Sequence, residues 1–161
     1  MKKKGSQSDF IEERDAELHS RFMDLLRSER GKSLGELYGA AARCKASRFW
    51  VSPERAADVL SCIERGVENM ERMYPERRRM YEELRRRVAE KREESPERPM
   101  MHIVEEVVEQ EAPEFYITEK SSKVIICRYV RSCRERRRGC VKIGGVLLRR
   151  NNAGEGVSDD D

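Results

Sequence analysis

The sequence predicts an all-α fold made of two tandem three-helix, helix-turn-helix-like units related by an internal duplication. Three observations predict it. Apolar residues recur at three- and four-residue steps through most of the chain. Charged residues make up 40% and hydrophobic residues 37%, the balance of amphipathic helices around a thin core. The apolar register of the first half also returns without a gap 66 positions later, where residue class is kept more than identity.

The elements follow in chain order. Leu18, Phe22, Leu25 and Leu26 form the stripe of a first half-buried helix, echoed by a helix from Pro75 through Met80, Leu84 and Val88. Leu34 to Cys44 gives a second helix, and Met100 to Val108 repeats its pattern. Next come ASRFWVS at Ala46 and APEFYIT at Ala112, which read as one joint written twice. The triplets Phe49-Trp50-Val51 and Phe115-Tyr116-Ile117 favour extended backbone, and Pro113 biases Ala112 away from helix. The triplets are expected to pair as a minimal two-stranded sheet between the connectors. Ser52 and Thr118 then cap a third helix, with Pro53 at its first position. That helix carries Val59, Leu60 and Ile63 in one copy and Ile125, Ile126 and Tyr129 in the other. Gly66 to Tyr74 connects the copies and is helical in part.

The organisation read from this is a disordered N-terminus over 1–9, a first three-helix unit over 10–66, and a second over 67–138 that ends in a basic arm. The tail over 139–161, with five glycines, reads as mostly disordered. Each unit of about fifty residues is marginal alone, so the two are expected to share one core. Large aromatics dominate small cores, and all six triplet residues are expected to pack there.

Five cysteines without a close CxxC pair read as reduced thiols of a cytoplasmic chain. Cys127, Cys133 and Cys140 are widely spaced with no histidine nearby, so no metal site or other cofactor is expected. The N-terminus MKKKGSQSD lacks an apolar h-region and no apolar run is long enough to span a bilayer, so no membrane partner is expected. His19 and His102 stand apart from any nucleophile pattern, and no GxSxG, phosphate-cradling glycine loop or HExxH occurs. A non-enzymatic protein is expected.

The net charge of +3 is unevenly spread. Arg128 to Arg138 holds six arginines and one glutamate, while the rest of the chain is close to neutral. The other arginine-rich stretch, ERRRMYEELRRRVAEKREE, places Glu82, Glu83 and Glu90 three or four residues from Arg78, Arg79, Arg86 and Arg87, so it reads as an ion-paired solvent face. With the apolar residues of each third helix turned inward, Arg55, Asp58 and Cys62 face out in the first copy. Lys120, Lys123 and Arg128 face out in the second. Clustered arginines suit phosphate, because each neutralised phosphate releases counterions. The expected nucleic-acid-binding residues are Lys120, Lys123, Arg128, Arg131, Arg134, Arg136, Arg137 and Arg138. The partner is nucleic acid, DNA ahead of RNA, or alternatively an acidic protein surface met by the same basic arm.

RFWVSPERAADVL, with its looser echo EFYITEKSSKVII, resembles small helical proteins encoded by bacterial mobile elements and prophages. The resemblance spans roughly residues 14–135 and brings no established activity or site residues. It implies a regulatory or accessory role in mobile-element DNA transactions. The second copy departs from the pattern at Glu119 to Ser122.

Overall fold

The computed structural model describes residues 8–138, 140–143 and 146–149. The six α-helices begin where local chemistry starts them. α1 (Ser8–Ser28) ends before Gly31, whose φ of 91° is open only to a residue without Cβ strain. α2 (Leu34–Ala42) opens on a capping box in which the Ser33 hydroxyl accepts from the Glu36 N–H and the Glu36 carboxylate accepts from the Ser33 N–H. α3 (Pro53–Glu64) has Ser52 as its cap, accepting from the Arg55 N–H at 3.3 Å. A short 3-10 turn over Met70–Arg72 leads to α4 (Pro75–Glu94). α5 (Met100–Val108) follows, then α6 (Glu119–Arg138), where Thr118 Oγ1 accepts from the Ser121 N–H at 3.1 Å. The structure is therefore all-α, with an appended antiparallel hairpin of β1 (Cys140–Ile143) and β2 (Val146–Arg149). These eight residues are paired rather than irregular. The remainder of the tail and the first seven residues lie outside the described residues.

The offset read in the sequence reappears in the elements. α2 and α5 coincide at both ends after the shift, and α3 and α6 coincide at their first residue. Burial follows the same register, as in Leu18 and Leu84, Leu37 and Ile103, Ala41 and Val107, Phe49 and Phe115, and Leu60 and Ile126. One contiguous core draws on both halves.

The connectors hold the halves together by reciprocal hydrogen bonds. The Ala46 N–H donates to the Ala112 carbonyl at 3.0 Å, and the Ala112 N–H returns the bond to Ala46 at 2.9 Å. Outside this pair, the Phe49 N–H donates to the Val108 carbonyl at 2.9 Å, and the Phe115 N–H donates to the Ala42 carbonyl at 3.0 Å. Each bond is the other's image under the same offset, which is the signature of a local pseudo-twofold axis. Both alanines are fully buried, and a methyl is all their side chains add where the two backbones meet.

The pairing between connectors thus lies upstream of the aromatic triplets. The triplets themselves bend. Val51 N–H closes back onto the Phe49 carbonyl at 2.9 Å, turning the chain at Trp50. Tyr116 takes a left-handed φ of 55°, which for a residue with a Cβ costs about 1–2 kcal/mol. Extended triplets would have carried both chains past the third-helix caps. The bends instead seat Phe49, Val51 and Phe115 in the core and leave Trp50, Tyr116 and Ile117 half-buried at its edge.

The third helices cross over. α6 packs on α1 and α2, and α3 packs on α4 and α5, so each half completes the other's helix layer. The segments 10–66 and 67–138 are therefore interleaved around their common core. Within each, the helix-turn-helix order is kept along the chain, while the third helix docks across the axis.

Candidate nucleic-acid interface

α6 outruns its counterpart for a reason visible in one residue. α3 stops at Gly66, which adopts a φ of 70° and donates its N–H to the Ile63 carbonyl. Ser132 stands at the matching position of α6, so the helix continues to Arg138. The basic arm expected from the sequence is accordingly the last part of a helix and not a separate segment.

Helical geometry then sorts the cations. Ser122, Ile125 and Ile126 point into the core. Lys120, Lys123, Arg131, Arg134 and Arg138 are all exposed and fall at the three- and four-residue steps of the opposite face, with Cys127 between Lys123 and Arg131. They span about 27 Å of helix at about 1.5 Å per residue. Among the described residues, no carboxylate lies within ion-pair distance of these five, whereas six of the seven α4 arginines, all but Arg85, pair with one.

Three of the expected residues are placed differently. Arg128 Nη2 bonds the Asp15 carboxylate at 2.9 Å, and Arg14 bonds the other oxygen at 2.8 Å. Asp15 is 5% exposed, so Arg128 serves first to neutralise a buried acid. Arg136 is exposed on a different side of the helix and bonds the Ser132 hydroxyl at 3.3 Å. Arg137 is exposed on the flank of the stripe. On α3, Arg55 and Asp58 are exposed, while Cys62 is half-buried.

The arginine-rich face of α4 is ion-paired as its spacing implies. Arg86 reaches Glu83 and Glu90 at 2.6 Å each, Arg87 reaches Glu83 at 2.7 Å, and Arg78 lies 4.0 Å from Glu82. Hydrogen bonds from Arg86 hold the Glu83 carboxyl below its usual range. Arg79 departs from the helical pattern and pairs with Glu114 at 2.8 Å, tying α4 to the connector. Beside it, burial pushes the Tyr116 phenol up to about 12.

Two features of the site lie outside the sequence reading. Gly35 and Gly39 clear a face of α2 over which the Glu119 carboxylate lies, so a Cβ at either would come within 3.2–3.3 Å of its oxygens. These glycines let α6 settle closely on α2 and carry its only first-turn acid away from the basic face. The second feature is Arg14, which joins Lys120, Ser121, Val124, Ile125 and Arg128 around a shallow groove of about 330 Å³ between α1 and α6. No local signal marks Arg14, because α1 becomes its neighbour only when α6 crosses the axis.

The charge does not share the symmetry of the backbone. Where α6 carries Lys120, Lys123, Arg131 and Arg134, the matching positions near α3 carry Glu54, Ala57, Arg65 and Glu68. Positive charge is therefore concentrated on α6 and not on α3. Cys127 is exposed, with its sulfur 3.9 Å from the Tyr38 hydroxyl, and Cys133 is half-buried. Among the described residues no cluster of metal-ligating side chains occurs, and no helix is long and apolar enough to cross a membrane. No protein-family model, curated protein or solved structure matches this chain.

Proposed function

We propose that the protein is a non-enzymatic DNA-binding protein that grips phosphates along α6, in a regulatory or accessory role in mobile-element DNA transactions. The observation that supports this reading is the line of five exposed cations without carboxylate partners among the described residues. Such a line matches a phosphate backbone, where affinity comes from counterion release. The 66-residue recurrence is read as an internal duplication in which one copy kept the structural role and the other gained charge. Half of the molecule then serves as scaffold, placing α6 with its free face outward.

The test is a titration of labelled random duplex and single strands across a salt series. Binding that weakens steeply with salt is the expected result. Absence of binding to either strand form, with tight binding to polyglutamate instead, would move the partner to an acidic protein surface.

A further inference from the structure

A second cavity adjoins the basic groove. It has a volume of about 130 Å³, is partly open to solvent, and is lined by Phe10, Ile11, Arg14, Trp50, Val51 and Ser52. Arg14 belongs to the walls of both, so the cavity is the groove's neighbour along α1. An apolar cavity of about 150 Å³ takes one benzene-sized ring, and pockets for larger ligands start at about 300 Å³. Size alone therefore points to a single ring.

The walls point to an aromatic ring. Phe10 and Trp50 supply two aromatic surfaces, and the Arg48 guanidinium lies 4.4 Å from the first ring centre and 5.7 Å from the second. The Arg14 guanidinium is held in place by two bonds to Asp15 Oδ1, from Nε at 3.1 Å and Nη2 at 2.8 Å.

We infer that this cavity receives an unpaired pyrimidine base from a single-stranded segment whose adjoining phosphates lie on Arg14, Lys120 and the α6 face. The base ring packs against Phe10 and Trp50. The inference rests on the nucleic-acid reading above and adds to it a strand form and a base class. Base contacts of this kind are the usual complement to a cationic groove in single-strand recognition.

Trp50 is the one tryptophan of the chain, so its emission reports on the cavity. The full chain is titrated at low salt with a short oligothymidylate, with an abasic strand of equal length, and with oligodeoxyadenylate. Oligothymidylate is expected to change Trp50 emission and to bind about tenfold tighter than the abasic strand. Ile11→Trp, which fills the cavity, should erase that preference in an anisotropy assay while abasic binding stays unchanged. Trp50→Phe, which keeps a ring but a smaller stacking surface, serves if the first variant melts early, and it should lose part of the preference. Equal binding of oligothymidylate and abasic strand with unchanged emission would overturn the cavity assignment and leave the phosphate reading standing. An equal response to oligodeoxyadenylate would overturn the single-ring assignment. No binding by any strand would overturn the phosphate reading and this inference with it.

Discussion

Replacing Arg131, Arg134 and Arg138 together by alanine removes three of the five cations on the free face of α6. All three are exposed and lie outside the buried face of the helix, and alanine is the best helix former, so the helix should remain. On duplex DNA each neutralised phosphate adds about 0.9 to the slope of log affinity against log salt. Five contacts give a slope of about −4.5, and two give about −1.8. Between about 50 and 200 mM salt the intact protein should therefore lose roughly 500-fold in affinity, and the variant roughly 12-fold. Fluorescence anisotropy with a labelled random duplex over a potassium chloride series reads both slopes directly. Arg86→Ala is the control, because Arg86 is already engaged by Glu83 and Glu90 and should leave the slope as it was. Parallel slopes for intact protein and triple variant would refute the reasoning. So would an equal loss of slope on removing Arg86.

Asp15→Asn removes the buried charge that holds Arg14 and Arg128, and should lower stability by about 1–3 kcal/mol in thermal denaturation. The released Arg128 guanidinium at the groove should at the same time steepen the salt slope by about 1, and weaker DNA binding would count against this account. Ser122 is fully buried with an unpartnered hydroxyl among the described residues, 66 positions after the buried Ala56. Ser122→Ala should raise the denaturation midpoint by an amount worth about 1 kcal/mol, and a lower midpoint would reveal a partner for the hydroxyl. Burial lowers the pKa of His19 below its ordinary 6.5, so the unfolded chain takes up the proton first as pH falls. The contribution of His19 to stability is thus full above about pH 6.5 and is lost as pH falls through the folded-state value. His19→Gln should flatten the stability profile between about pH 7 and 5, and an unchanged profile would assign the acid sensitivity elsewhere.

Interactions over short chain distances were legible because their physics is local. The Ser52 and Thr118 caps, the prolines at Pro53 and Pro75, and the apolar steps of Leu34 and Met100 place helix starts without knowledge of the fold. The outward placing of Lys120 and Lys123 was legible for the same reason, whereas Arg131 to Arg138 read as an arm beyond the helix and prove to be its last turns. Arg128 is exposed as expected, and only its pairing with Asp15 was not legible, because that residue lies 113 positions away. The bend at Tyr116 was hidden because aromatic and β-branched residues prefer extended backbone in isolation. Here the core claims Phe115, and its N–H is drawn to Ala42.

Sequence by itself determined that there would be six helices in a repeated order, which sides of them are apolar, and that one third helix is cationic. Tertiary structure decided which helix lies against which. The reciprocal bonds between Ala46 and Ala112 bring the connectors together at the axis, and each third helix then packs on the opposite half. That crossing brings Arg14 to α6 and pairs Arg128 with Asp15, which sets the basic groove beside the cavity at Trp50. Periodicity specifies only which side of a helix is buried, and the choice of burying partner depends on backbone pairing and shape across distant parts of the chain.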